Sequence, residues 1–475
     1  MPKKRRKRLV FCFDGTWNRL SATCPTNVVK LAQMVRPIAA DGTPQIVYYD
    51  EGIGTDKNWF GRVSDGIFGK GMLPIMREAY RFAIFNYEPG DEIFVFGFSR
   101  GAYTARSFVG FIRHAGILDV VSAPQIDEAQ DIYRLAPAGV TGAESGVALR
   151  FRARHCKGVC VSEADREFRM RVDPRFDPEA PMLDVRYVGV WDTVRALGLP
   201  EFLPGSAWFN RKYGFHDAVL TSKIKSARHA VALDERRLTF LPTPFGHDRI
   251  AELNALAEKE KGAPFEPWAR PYQEKWFPGV HGAVGGGGKR RGLSDGAMQW
   301  ILNGALRAGL DIRNDVSAVA FDIAPDALDE LYNDDPGLVK KLQALLHTLF
   351  RIARQGPSRE EEISLSTFQR WTAAHGGKAK PYEPRSLRRV RGLLDGWPYR
   401  NPVEFTSTSP PDFEEYEIGT RDTLSRLARD RLGDPLRWPF LFALNRDRMD
   451  DPDYMANGLK IRLPRGKNGT HAAGP

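Results

Sequence analysis

The sequence predicts an α/β protein: a mostly parallel sheet with helices on both faces and inserted cap segments, followed by a small βααβ unit near the C-terminus. The prediction rests on apolar runs too continuous for half-solvated strands, and on a switch to helical period directly after one of them. Size agrees: one hydrophobic core stops growing near ~250–300 residues, so a chain of 475 implies a main domain and something smaller. The expected divisions are a basic tail at 1–8, a main domain at 9–325 with an insertion at about 120–180 near the site entrance, a helical and then basic, proline-rich linker or lid at 326–412, the small unit at 413–465, and a disordered tail at 466–475.

The first strand is Leu9–Phe13 in "LVFCFDGTWN", ending in a turn at Asp14-Gly15-Thr16. A second covers Ile46–Tyr49, and "YDEGIGT" after it reads as a loop bordering a pocket. The third, Ile93–Phe96, follows the turn signal "EPGD" and leads into Gly97-Phe98-Ser99-Arg100-Gly101. Tyr103, Ser107, Phe108, Phe111 and Ile112 then recur at helical spacing until Gly116. Ser99 thus sits on a strand-to-helix corner where side chains at 97 and 101 would collide with neighbouring backbone, which is why both are glycine. This is the G-x-S-x-G nucleophile elbow of the α/β-hydrolase arrangement, with the Arg100 N–H and the positive end of the helix aimed at a nascent oxyanion.

A serine hydroxyl needs an imidazole to take its proton and a carboxylate to orient that imidazole; in this arrangement the acid and then the base follow the serine along the chain. "LDVRYVGVWDTV" supplies a buried strand, Val185–Trp191, ending at Asp192, the natural acid. Among nine histidines, His281 stands apart, on the glycine-rich loop "WFPGVHGAVGGGG" before a helix for which Ser294 is the expected cap. His229, in a segment read as helical, is the rival. The second half of the oxyanion hole is assigned to the backbone of Gly15 or Thr16, while the Asp14 side chain caps the turn. The scheme calls for no metal or organic cofactor. Cys156 and Cys160 beside His155 lack a second ligand pair at zinc spacing, and "DGIFGKGM" departs from the phosphate-loop pattern.

Composition narrows partners. Net charge +10 favours an anionic partner, but no module interleaves basic and aromatic residues as nucleic-acid binders do, and no apolar run approaches the ~18 residues of a membrane span, which leaves peripheral membrane contact at most. "MPKKRRKRLVFCFDG" has too short an apolar stretch for a signal peptide, so synthesis in the cytoplasm without a leader is expected.

With "FDGTWN", "GFSRGAYTAR", "VGVWDTV" and "WFPGVHGAVGGG" in this order, residues 8–325 resemble the bacterial and fungal α/β-hydrolase family that includes the first class of type VI secretion phospholipase effectors. The resemblance implies a serine nucleophile at Ser99, an acid at Asp192 and a base at His281, and hydrolysis of phospholipid acyl esters. Gly282-Ala283 stands where relatives carry Ser-Asp, a change in the pocket wall. It also implies a secretion-machine partner, delivery to a target-cell periplasm and an immunity protein. Two other functions fit the residues: a soluble carboxylesterase or deacylase acting near the cell wall, and a non-catalytic wall-binding or secretion adaptor on a relic hydrolase fold.

Tyr416–Pro464 reads strand, helix, helix, strand, with Thr423 capping the first helix, Trp438, Leu441 and Leu444 lining the second, and Leu459–Leu463 alternating as a strand. The segment resembles a LysM module, with Arg421 in place of the usual glycine. That resemblance implies a peptidoglycan-type ligand at loops around Asp422, Thr423, Asn445 and Pro452, against the alternative of an assembly adaptor that binds no sugar.

Overall fold

The computed structural model describes residues 6–15, 20, 22–52, 68–135, 140–156, 158–194, 219–237, 240–265, 269–313, 323, 325–333, 354–375, 382–395, 413–419, 422–432, 438–445, 448–449, 452–453, 455 and 458–464. Thr16 and Arg421 lie outside these residues, as do positions 1–5, 334–353 and 465–475, on which the expected basic and C-terminal tails and part of the expected helical segment fall.

Six strands form one sheet: β1 (Arg8–Phe13), β2 (Gln45–Asp50), β3 (Glu92–Phe98), β4 (Asp184–Trp191), β5 (Ala227–Ala232) and β6 (Tyr272–Phe277), in the order β2-β1-β3-β4-β5-β6 and parallel throughout. β1 lies one strand in from the edge and pairs with both β2 and β3, and successive crossovers then build toward β6. Alternation along β1 divides the core. Leu9, Phe11 and Phe13 face one layer with α2 (Phe68–Asn86) and α3 (Arg100–Ala115), whereas Val10 and Cys12 face the other, beside α1 (Asn27–Met34). Both faces are therefore covered, which is why β1 runs apolar without a break from Leu9 to Phe13.

The insertion contains α4 (Ile126–Leu135), α5 (Gly146–His155) and α6 (Glu163–Val172). Its anchors lie at the C-terminal end of α3: Arg152 donates to the His114 carbonyl at 2.6 Å, and the Cys156 thiol to that of Ala115 at 3.2 Å. Ser99 precedes the other end of this 16-residue helix, roughly 24 Å along its axis. These anchors buttress the helix's far end and differ from the expected cap over the site entrance.

Beyond the insertion come α7 (His247–Lys261), the short α8 (His281–Gly285) and α9 (Gly292–Arg307), which packs on the α1 side. Ser294 does not cap α9; its hydroxyl donates to the Arg291 carbonyl from inside the first turn. Residues 354–375 and 382–395, expected within a linker or lid, form a packed layer. Ile363 bridges in parallel to Trp276 of the edge strand β6, while α10 (Leu365–His375) and α11 (Arg391–Asp395) contribute Phe368, Trp371 and Leu394 to a cluster with Val231, Leu233 and Trp276. Covering β6 in this way protects an exposed row of backbone groups.

The small C-terminal unit has the expected βααβ sequence: β7 (Phe413–Glu417), α12 (Leu424–Leu432), α13 (Trp438–Leu444) and β8 (Lys460–Pro464), with β7 and β8 antiparallel around their own apolar cluster.

Candidate active site

The corner after β3 is as tight as its glycines require. A Cβ on Gly97 would stand 2.5 Å from the Gly101 carbonyl oxygen, and one on Gly101 would stand 2.3 Å from both the Phe13 and Asp14 carbonyl oxygens. Neither contact is tolerable. Ser99 itself adopts φ 59°, a conformation that L-residues avoid, and its N–H donates to the Trp191 carbonyl at 3.0 Å, tying the corner to β4.

His281 begins α8, preceded by Gly279 at φ 105°. Its ring packs against Phe98 and Phe240, with centroids 4.6 and 4.7 Å away. Nε2 lies 2.7 Å from Ser99 Oγ and Nδ1 lies 2.5 Å from Asp192 Oδ2. All three residues are buried. The tautomer that uses both contacts carries its proton on Nδ1, leaving Nε2 to accept from the serine hydroxyl. Burial lowers the proton affinity of His281 below the usual histidine range despite the opposing hydrogen bond and charge of Asp192, which favours the neutral base.

Asp192 also has positive φ, 36°. Thr193 next to it donates its N–H to His229 Nε2 at 3.1 Å, and His229 Nδ1 bonds Glu274 Oε2 at 2.7 Å. His229 is thus a buried residue of β5, not of a helix, and it braces the turn that carries the acid. The segment "RHAVA" misleads because its polar side chains are satisfied inside the protein.

The turn after β1 meets only part of its expected role. The Asp14 carboxylate accepts from Gly15 N–H at 2.6 Å, from Thr26 Oγ1 at 2.7 Å and from the Tyr49 hydroxyl at 3.0 Å. Gly15 N–H is therefore engaged in the cap and points at Asp14 instead of an oxyanion, a correction to its assignment. Arg100 supplies the first residue of α3, next to the serine.

The four residues nominated for glycan contact do not make an open binding surface. Asn445 is fully buried: its amide donates to the Leu441 and Arg462 carbonyls and its oxygen accepts from Arg462 N–H, so its side chain holds α13 to β8. That corrects its nomination, because both its N–H donors and its oxygen are engaged within the unit and the side chain is buried. Asp422 accepts from Tyr416 Oη and Gly419 N–H, and Thr423 Oγ1 accepts from Arg426 N–H as the expected cap of α12. Asp422, Thr423 and Pro452 line a narrow cleft whose other wall is the main domain, with Trp300 and Asn303 of α9.

Two features near the triad escape sequence reasoning. Glu235, in the turn after β5, accepts from His281 N–H at 3.3 Å and from Arg237. Arg354, buried and 162 residues beyond Asp192, forms a two-pronged ion pair with its carboxylate, 2.5 Å to Oδ1 and 3.0 Å to Oδ2. An arginine in the run "RIARQ" looks like any solvated helical residue, so no signal in the chain marks it.

A parallel six-stranded sheet with helices on both faces and a serine on the glycine-flanked corner after its third strand defines an α/β-hydrolase-like protein. The chain belongs to the family described as the type VI secretion system (T6SS) phospholipase effector Tle1-like catalytic domain, which matches residues 7–304. An uncharacterized protein of Saccharomyces cerevisiae is 25% identical over 257 residues, which is 50% of this chain and 33% of that protein. Similar solved structures include an uncharacterized protein from Pseudomonas aeruginosa (17% identity, TM-score 0.30, covering 65% of this chain and 46% of that one). Another is a Tle1 effector bound to the VgrG spike of the type 6 secretion system (20% identity, TM-score 0.30, 60% and 52%). The present chain thus spans a third of the yeast protein and about half of each of these two structures.

Proposed function

We propose that the protein is a serine ester hydrolase that cleaves acyl esters of phospholipids, with Ser99 as nucleophile, His281 as general base and acid, and Asp192 as the group that orients His281. The observation that carries this reading is the unbroken hydrogen-bond chain from Asp192 Oδ2 through both ring nitrogens of His281 to Ser99 Oγ. Ser99 Oγ attacks the ester carbonyl while His281 Nε2 takes its proton; the tetrahedral intermediate collapses, the C–O bond breaks, and His281 returns the proton to the leaving alcohol. Water then repeats the cycle on the acyl-enzyme. Arg100 N–H, at the positive end of α3, donates to the oxyanion, and Thr16 N–H is the second donor in this reading.

Membership of a phospholipase-effector family supports the lipid substrate and delivery by a type VI secretion machine. Incubation of purified protein with phospholipid vesicles, followed by mass spectrometry of the products, tests the reading. Free fatty acid and lysolipid are expected from the wild type, with Ser99→Ala slower by about 10³-fold or more. Equal rates from the two, or no acyl product from any lipid or short ester, would overturn it.

A further inference from the structure

Arg354 brings a full positive charge into a site whose chemistry depends on a negative one. The Asp192 carboxylate, fully buried, receives four donors: His281 Nδ1 and Arg354 on Oδ2, and Ala232 N–H (2.9 Å) and Arg354 on Oδ1. Four is the full accepting capacity of a carboxylate. The same guanidinium donates onward to the Ala232 carbonyl at 2.8 Å and the Phe240 carbonyl at 2.5 Å. One side chain therefore ties the acid to the end of β5 and to the loop whose Phe240 ring packs on His281. It enters from the layer at 354–395, outside the residues 7–304 that match the family.

Resting on the triad reading above, we propose that Arg354 is a positioning residue that fixes the rotamer of Asp192 and tempers its charge, so that His281 stays neutral and able to accept a proton in mildly acidic surroundings. An unopposed buried carboxylate beside an imidazole stabilises the imidazolium strongly, because little solvent screens the pair. A guanidinium on the carboxylate's far side opposes the second positive charge that protonation of His281 would create. The other charged groups facing the pair are Glu235, whose carboxylate favours the imidazolium, and Arg237, which opposes it. Ser99 faces Nε2 as a neutral hydroxyl. Burial alone would raise the proton affinity of Asp192, but the Arg354 charge and the His281 hydrogen bond hold it well below the usual carboxylate range. The acid therefore keeps its charge where His281 keeps its neutrality.

The test is the pH dependence of kcat/KM on a nitrophenyl butyrate ester, from about pH 5 to 9, for the full-length wild type, Arg354→Gln, Arg354→Lys and Ser99→Ala. Arg354→Gln should move the acid limb upward by about one pH unit and lower the plateau roughly 10–100-fold through kcat with little change in KM. Arg354→Lys, which retains charge without the fork, should keep its limb within about 0.3 pH unit of the wild type while kcat falls. A folded Arg354→Gln whose limb coincides with that of the wild type would overturn the proposal, whatever its plateau. Where Arg354→Gln does not fold, Arg354→Lys decides: a limb displaced by a full unit, or an unchanged kcat, overturns it. Failure of the triad reading is separately visible as wild-type hydrolysis no faster than that of Ser99→Ala, and it overturns both.

Discussion

Asp192 carries the densest set of constraints in the molecule: a positive φ, complete burial, and bonds to His281, Arg354 and Ala232. Its replacement by Asn removes the charge that His281 and Arg354 share, leaves Arg354 a buried cation without its partner, and allows the wrong imidazole tautomer. Asp192→Asn should thus lose about 10³–10⁴-fold in kcat and also destabilise the fold by about 3 kcal/mol, measurable by denaturant titration. The signs of the two proton affinities fix the pH response of stability. Asp192 is lowered in the folded protein, so its contribution is present above the ordinary aspartate value near ~4 and fades as pH falls below it. His281 is lowered too, so the unfolded chain binds its proton more readily below about 6.5. Both act in the same direction but in successive windows, His281 below about 6.5 and Asp192 below ~4, so Tm should decrease as pH is taken from 7 to 4 and further from 4 to 3; a Tm constant from 7 to 3 would contradict the electrostatic account.

Among the elements, the corner between β3 and α3 tolerates no added methyl on either flanking glycine. Gly101→Ala places a methyl against two carbonyl oxygens on the β1 side, which the chain relieves only by moving β1 or α3. It should cost about 3 kcal/mol or more by chemical denaturation, and displacement of Ser99 should reduce hydrolysis even in the folded fraction. Strands buried on both faces were legible because apolar residues run without interruption, as at Leu9–Phe13 and Ile93–Phe96. The three residues of the Asp192–His281–Ser99 hydrogen-bond chain were legible from local signals: Ser99 from the glycine-flanked corner after an apolar strand, Asp192 from the end of the next strand, and His281 from its glycine-rich loop. β5 and β6 escaped the same logic. Arg228, His229, Gln273, Glu274 and Lys275 are buried polar residues within them, and His229 and Glu274 satisfy each other across the two strands. A single sequence does not reveal which polar side chains will find partners inside.

Across the whole molecule, the C-terminal unit docks on the main domain through a buried anion. Asp453 accepts from Asn303 at 2.8 Å and Arg228 at 3.1 Å, with Arg307 at 3.7 Å, and Arg228 in turn lies over the Trp300 ring. Burial would raise its proton affinity, but Arg307, Arg228 and Lys275 together lower it below the usual carboxylate range. Asp453→Ala should loosen this junction, accelerating amide hydrogen exchange in residues 299–307 and around Met455 while leaving ester hydrolysis near the wild-type rate. Unchanged exchange at both sites would refute the docking role. The βααβ order of this unit was legible from its periodicity, whereas its docked face was not, since contacts spanning 150 residues leave no local pattern. Among the described residues no helix is long and apolar enough to cross a membrane.

The proposed nucleophile Ser99 is open to direct chemical interrogation with a fluorophosphonate, which reacts with a hydroxyl only when a neighbouring base has made it nucleophilic. Peptide mass spectrometry of the labelled full-length protein should locate one adduct, on Ser99, absent from Ser99→Ala and strongly reduced in His281→Asn. An unlabelled Ser99 in protein that still hydrolyses ester, or an adduct at another serine, would contradict the account.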